Sequence, residues 1–358
     1  MRNCLCSFNY IDGKFMKNSL ALATCLMVAA AGAQAQATVK ISGLMDVYAG
    51  SMKMAGDTVS KSVVGSGGMT TSWYGFSGSE DLGGGLKANF ALNGFFRPDT
   101  GETGRFGGDP QFSRDAFVSL SGNFGEVALG RGKAPNFLPT ILFNPVGDSF
   151  QFSPLVLHSN VSLFNGTGWA STNPSDTGWS NQITYSSPSF SGLKANVHYQ
   201  AGEVANNKKN IGLNLLYSTG PLGLTAFWER DQVKNPATPA NLITPLLADT
   251  RTVWMLGGSY DATVVKGFAT YSKSSSDLTA VADKTTWSLG ASAPVAGGKV
   301  LLAYAESKVQ GGKERNTATL GYDYFLSKRT DVYAMLMRDK ITSFESGTSF
   351  GLGVRHRF

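Results

Sequence analysis

The sequence predicts an all-β chain closed into a 16-stranded antiparallel transmembrane β-barrel. Three observations carry this: period-2 patterning in repeated short runs, connections that alternate between tight and long, and the lack of any long apolar helix after an export-type leader.

The period-2 runs are the most direct sign. In 193 to 200, Leu193, Ala195, Val197 and Tyr199 alternate with Lys194, Asn196, His198 and Gln200, which gives a strand one apolar and one polar face. Leu86, Ala88, Phe90 and Leu92 alternate with Lys87, Asn89, Ala91 and Asn93, and Ala318, Leu320, Tyr322 and Tyr324 with Thr317, Thr319, Gly321 and Asp323. Sixteen such runs follow one another, starting near 38, 70, 84, 112, 124, 181, 190, 209, 222, 250, 262, 284, 297, 315, 329 and 347. Helical periodicity is nearly absent. Charged residues are only 16% against 43 glycines and 11% aromatics, too few Glu- and Lys-rich windows for long surface helices.

Connection lengths give the architecture. Tight links at Glu80 to Gly84, Gly122 to Phe124, Thr219 to Leu222, Pro294 to Gly298 and Leu326 to Arg329 alternate with longer ones near 53–70, 97–111, 131–180 and 232–250. An even strand number with short turns on one side and long loops on the other is the outer-membrane barrel pattern. Its cause is that hydrocarbon satisfies no backbone N–H or C=O, so a sheet there must close to lose its edges. Residues 36–358, shared among sixteen strands, leave about 20 residues for each strand with its connection, and about 10 tilted residues span the apolar band.

The N-terminus reads as an export signal. Met16-Lys17-Asn18 is a short basic start, Leu20 to Ala31 an apolar stretch, and Ala33-Gln34-Ala35 a small-x-small cleavage site. Cleavage before Gln36 is expected, and cutting after Ala37 satisfies the same rule. Residues 1–15 resemble no part of a signal, so Met16 is the expected start. On this reading 1–35 is an extension plus signal peptide and 36–358 the barrel. Cys4, Cys6 and Cys25 all lie in the removed part, so the barrel is expected to carry no thiol. Loss of Arg2, Lys14 and Lys17 against Asp12 lowers the net charge from +6 to about +4. No Lys/Arg block tracks phosphates, so no nucleic-acid partner is expected.

The last run, Phe350-Gly351-Leu352-Gly353-Val354-Arg355-His356-Arg357-Phe358, keeps Phe350, Leu352, Val354 and Phe358 on one parity and Arg355 and Arg357 on the other, as a strand closing against the first requires. Ring-bearing residues at run ends, among them Tyr199, Trp228, Trp254 and Trp287, suit an interfacial girdle. The three histidines of the chain, His158, His198 and His356, sit in no Gly-x-Ser-x-Gly, His-Glu-x-x-His or Cys/His pattern, so neither an enzyme, nor a cofactor, nor a metal site is expected.

Several segments together resemble the general porins of β-proteobacteria: Gly78-Ser79-Glu80-Asp81-Leu82-Gly83-Gly84-Gly85-Leu86-Lys87-Ala88, Ser113 to Gly122, Leu129-Gly130-Arg131, Tyr185 to Phe190, Gly321 to Thr330, and the terminal Arg355-His356-Arg357-Phe358. The resemblance implies an outer-membrane channel for passive diffusion of small hydrophilic solutes and ions, a homotrimer surrounded by outer-membrane lipid and lipopolysaccharide, and a terminal strand ending at Phe358 that is read by the assembly machinery. It implies that 132–180 is the third loop, folded inward as the constriction. A loop that long is rare unless functional, and a sixteen-strand barrel leaves a channel for it to narrow. A substrate-selective uptake channel for one organic solute is the alternative.

In related porins the wall facing that loop carries arginines. Here the matching positions hold Trp73, Ser77 and Thr184, which parity turns inward, so the lumen wall is expected to be less basic. Arg114 and Arg131 match family positions and are lumen candidates or, alternatively, structural ion-pair partners; Arg114 shares parity with Ala116, Val118 and Leu120, against a lumen place. Asp148 either faces the eyelet or is a loop turn residue. Arg97, Arg105 and Lys133, near loop ends, read as solvated charges.

Overall fold

The computed structural model describes residues 38–160, 177–203, 207–233, 246–277 and 282–358. The signal peptide with its start and cleavage sites, and the part of the third loop over 161–176, lie outside these residues.

The strands are β1 (Thr38–Met52), β2 (Lys61–Ser66), β3 (Trp73–Gly83), β4 (Leu86–Arg97), β5 (Glu102–Thr103), β6 (Asp115–Gly122), β7 (Gly125–Lys133), β8 (Gly178–Ser186), β9 (Leu193–Ala201), β10 (Lys209–Thr219), β11 (Leu222–Val233), β12 (Leu246–Asp261), β13 (Lys266–Ser276), β14 (Lys284–Val295), β15 (Gly298–Val309), β16 (Lys313–Phe325), β17 (Thr330–Ile341) and β18 (Gly347–Arg357). Sixteen of them form one antiparallel wall. The other two are short: β2 pairs the upper half of β1 inside the first loop, and β5 pairs the end of β4. The lower half of β1 pairs β3.

Each wall strand otherwise pairs the next, and β18 returns to β1 with Asp46 opposite Arg355 and Val47 opposite Val354, which closes the barrel. Gly43 and Phe358 exchange backbone hydrogen bonds of 3.1 and 3.0 Å in both directions, so the terminal residue seals the seam. The closed ring leaves no edge to hydrocarbon.

Alternation separates the two faces of the wall. Val118, Leu129, Leu256, Leu302, Leu336 and Leu352 stand outward and exposed, and the ring pairs Trp254–Tyr271 and Trp287–Tyr304 lie on the same outer face at 5.7 and 5.2 Å. Inward positions are mostly polar, apart from two apolar patches, of which Phe227, Val253 and Met255 form the smaller. Leu301, Tyr333, Met335 and Met337 face inward and are buried.

The third loop covers them. It carries two short helices, α1 (Phe137–Leu142) and α2 (Pro154–Ser159), in a stretch the sequence marks only as a loop. Helix α2 begins where Ser153 accepts from Val156 N–H and Pro154 fills the first turn, where a missing N–H costs nothing. Val146, Phe152 and Leu157 pack on Tyr48, Leu301, Tyr333, Met335 and Met337, while Leu155 packs on Phe227, Val253 and Met255. The loop thus lies inside the barrel, and the largest apolar core of the molecule sits between it and the wall. Gly351 is required here: a Cβ on it would stand 2.9 Å from the Phe152 ring.

Polar groups of the wall meet the backbone of the loop. Thr319 donates to the Phe152 carbonyl at 2.7 Å, Arg315 to the Leu157 carbonyl at 3.3 Å, and Lys284 to the His158 carbonyl. The His158 ring bridges Ser307 and Thr317 at 2.7 and 2.8 Å. Its burial, reinforced by Arg315 and Lys284, holds the imidazole pKa well below its ordinary value, so it is neutral.

Replacing Phe152 by Ala removes a ring that is 0% exposed at the centre of this contact. The substitution is expected to weaken loop docking by about 3 to 5 kcal/mol. The measurement is amide exchange and limited proteolysis within 137–160, with circular dichroism checking that the barrel is retained.

Candidate functional site: the neck of the lumen

A charged cluster stands where the third loop faces the start of β3 and the residues before β6, the candidate neck of the lumen. Trp73, the first residue of β3, presents its ring inward, and the Arg114 guanidinium lies over it at 3.9 Å. A cation over an indole face is held by the ring quadrupole and keeps its charge accessible. Arg114 also lies 3.6 Å from Asp115, and its N–H donates to the Asn93 carbonyl at 3.1 Å. The parity argument fails for Arg114 because β6 begins only at Asp115; the residue before a strand does not share its alternation.

Asp148 comes from the third loop to the same place. Desolvation pushes its carboxyl up to about 6, against the opposing pull of a hydrogen bond from Thr70 and the charges of Arg114 and Arg355. Thr70 accepts from Arg355 at 2.8 Å, so its hydroxyl links the two ions. Sequence reasoning missed Thr70 and Arg355 as neck residues. Thr70 is brought in by Asp46, whose carboxylate accepts from the N–H groups of Gly68, Met69 and Thr70 at 3.1, 2.9 and 2.8 Å and from the Tyr333 hydroxyl. The segment before β3 is therefore folded inward as well, and Ser149 of the third loop donates to the Gly68 carbonyl at 2.6 Å.

Ser77 lies on the inward face of β3, two pairs below Gly75, opposite Lys40 on β1 and Ala91 on β4. It makes no contact with the Arg114 group. Thr184 and Arg131 stand elsewhere again, around a recess of ≈ 220 Å³ at the root of the third loop. Thr184 is 3.4 Å from His198 Nδ1. Arg131 is buried and donates to the Ser113 carbonyl at 2.6 Å and to Ser180 Oγ at 2.9 Å, tying both ends of the loop together. A register shift between Gly130 and Gly132 sets it there, and Gly130, at φ +136°, is irreplaceable because a Cβ would meet the Ala116 carbonyl at 2.3 Å.

Lys133 and Arg105 are not the solvated charges the sequence suggests. Lys133 bonds Asp115 at 3.0 Å, and Arg105 bonds Asp109 at 2.9 Å and lies over the Phe95 and Phe106 rings. Arg97 does pair at the surface, with Glu102 at 2.6 Å.

Further round the wall, charge is neutralised in pairs behind the loop. Arg315 binds Asp339 at 2.9 Å, Arg355 binds Asp323 and Asp331 at 3.2 and 2.9 Å, and Arg251 binds Asp231. Among the described residues the inner face is thus polar, with a charged cluster beside the loop, as a passage for ions and small hydrophilic solutes requires.

Known proteins agree with this geometry. Residues 21–342 match the family described as Gram-negative porin. Outer membrane porin protein 32 of Delftia acidovorans is 32% identical, with 96% of this chain and all of that protein covered. The anion-selective porin from Comamonas acidovorans superposes with a TM-score of 0.73 at 29% identity, covering 90% of this chain and 100% of that one. The outer membrane protein OmpT of Vibrio cholerae, in its trimer form, has a TM-score of 0.65 at 17% identity, which speaks for the fold. With a closed sixteen-strand wall, an apolar outer face and a loop narrowing a polar lumen, the chain belongs to the Gram-negative porin family and is an outer-membrane channel for passive diffusion of small hydrophilic solutes and ions.

Proposed function

We propose that Trp73, Arg114 and Asp148, with Ser77, Thr184 and Arg131 further along the wall, set the ion preference of a homotrimeric channel, and that this preference for anions is weaker than in an arginine-walled relative. The observation that carries it is the Arg114 guanidinium over the Trp73 ring, with the Asp148 carboxylate among the charges that act on it, at a place where the resemblance to β-proteobacterial porins implies further basic residues. Charges in a passage between low-dielectric walls act strongly; two unit charges at 4 Å in an effective dielectric of about 20 interact by about 4 kcal/mol.

Restoring a cation is then expected to raise the anion-to-cation permeability ratio. Ser77→Arg or Thr184→Arg should gain about 1 kcal/mol, roughly fivefold, and more at low ionic strength where screening is slight. Reversal potentials under a salt gradient measure it. An unchanged ratio in both variants removes these positions from the selectivity wall.

The neck also titrates. Asp148 is an anion above about 6 and neutral below, so acidification removes a carboxylate whose charge acts on Arg114 beside that of Asp115. Anion preference should therefore rise as the pH falls from a unit above that value to a unit below it. Asp148→Asn should show the high preference throughout and lose the step. The same reversal potentials, taken across the pH range, decide this.

The terminal strand supports assembly. Phe358 closes the seam through both of its backbone hydrogen bonds to Gly43. Deleting it should reduce the yield of heat-modifiable trimers in the outer membrane while export across the inner membrane continues, read by fractionation and unheated gels.

A further inference from the structure

The recess at the root of the third loop is distinct from the charged neck. It is framed by the inward faces of β6 to β10 and bordered by Ala134 and Leu138 of the loop. Its ≈ 220 Å³ corresponds to about seven waters at their liquid volume, room for one small solute.

Its charged members other than Lys194 are already engaged. Asp115 takes Lys133 at 3.0 Å and Asn93 at 3.1 Å, Glu126 accepts from Ser119 at 2.6 Å, and Arg131 is bound to the loop ends. Lys194 stands exposed at the rim. Besides Lys194 and the Glu126 carboxylate, what remains to meet a ligand is neutral. Gln182 is 4% exposed, lines the recess, and its Oε1 is buried with no hydrogen-bond partner. A buried acceptor left unmade costs about 1 to 3 kcal/mol, so a ligand donor that meets it once the Gln182 side chain turns into the recess is favoured. His198 is loosely held, 3.4 Å from Thr184 and 3.3 Å from Asn214, so its ring nitrogens and the Thr184 hydroxyl can turn to a ligand. Phe117 and Leu138 supply an apolar side opposite these groups.

Neutral groups that both donate and accept, an unmet acceptor and an apolar face fit a ligand with several hydroxyls on a carbon frame. We propose that this recess is a binding subsite for a small neutral polyhydroxylated solute, a polyol or monosaccharide, visited on the way through the lumen.

The test uses the full protein reconstituted in a planar bilayer, with D-glucose as the probe. Native channels should show a saturable reduction of ion current with added glucose, accompanied by excess current noise. Gln182→Leu removes the unmet acceptor and should weaken the block about fivefold, the worth of one hydrogen bond. Thr184→Val should weaken it similarly and provides a second reading if the first variant inserts poorly. Current without glucose reports the channel itself, separately from the subsite. A fall in current that is linear in glucose and follows the conductivity of the bulk solution overturns the proposal. So does saturable block that survives both substitutions. Block by gluconate but not by glucose, lost in Lys194→Gln, would assign the recess to anions and equally overturn it.

Discussion

The structure depends on one constraint: backbone N–H and C=O groups must find partners where water is absent. In the wall this forces closure of β1 on β18, and the seam ends in the reciprocal bonds of Gly43 and Phe358. The same constraint governs the third loop. An irregular segment pressed on a wall hides carbonyls that no strand can satisfy, and the wall provides donors for them at Thr319, Arg315, Lys284 and Asn214, the last reaching the Pro135 carbonyl at 3.0 Å. The apolar contact through Phe152 and Leu157 then operates on a loop whose polar cost is already met.

Charge is distributed by the same logic. A buried ion pair contributes little net stability, yet stripping one partner costs about 3 to 5 kcal/mol. The Arg315–Asp339 and Arg355–Asp331 pairs are therefore best understood as fixing the register of the inner face against the loop; they add almost no field to the passage, since each cation lies 2.9 Å from its acid. Field in the lumen comes from what is left over. Outside those pairs, Arg114 and Asp148 come near each other where the third loop meets the start of β3.

The wall was legible in the sequence and the neck only in part, for a physical reason. Period-2 alternation is a local property, and it located sixteen strands to within a few residues, including the terminal run. The short β2 and β5 escaped it because six and two residues carry too little pattern. The helices α1 and α2 escaped because each, at six residues, makes fewer than two turns, and its apolar residues face a wall that is itself apolar only beneath the loop. Inward Met335 and Met337 look like errors of alternation until Phe152 is seen above them. Thr70 and Arg355 are 285 residues apart and meet only through closure, so no spacing rule could join them.

Arg114 shows how such a site is held without stored strain. It precedes β6, where the chain is free of the alternation that would have pointed it at lipid, and it is fixed by an indole face on one strand, a carbonyl on another and a carboxylate on its own neighbour. None of these contacts neutralises it fully: an indole attracts the cation but adds no charge, and Asp115 is shared with Lys133. The opposing carboxylate comes instead from the loop, and its charge is conditional because Asp148 titrates near neutrality. With the cation fixed on the wall and the carboxylate on the docked loop, protonation of Asp148 changes the local charge and asks for no break in the backbone hydrogen bonds of the barrel.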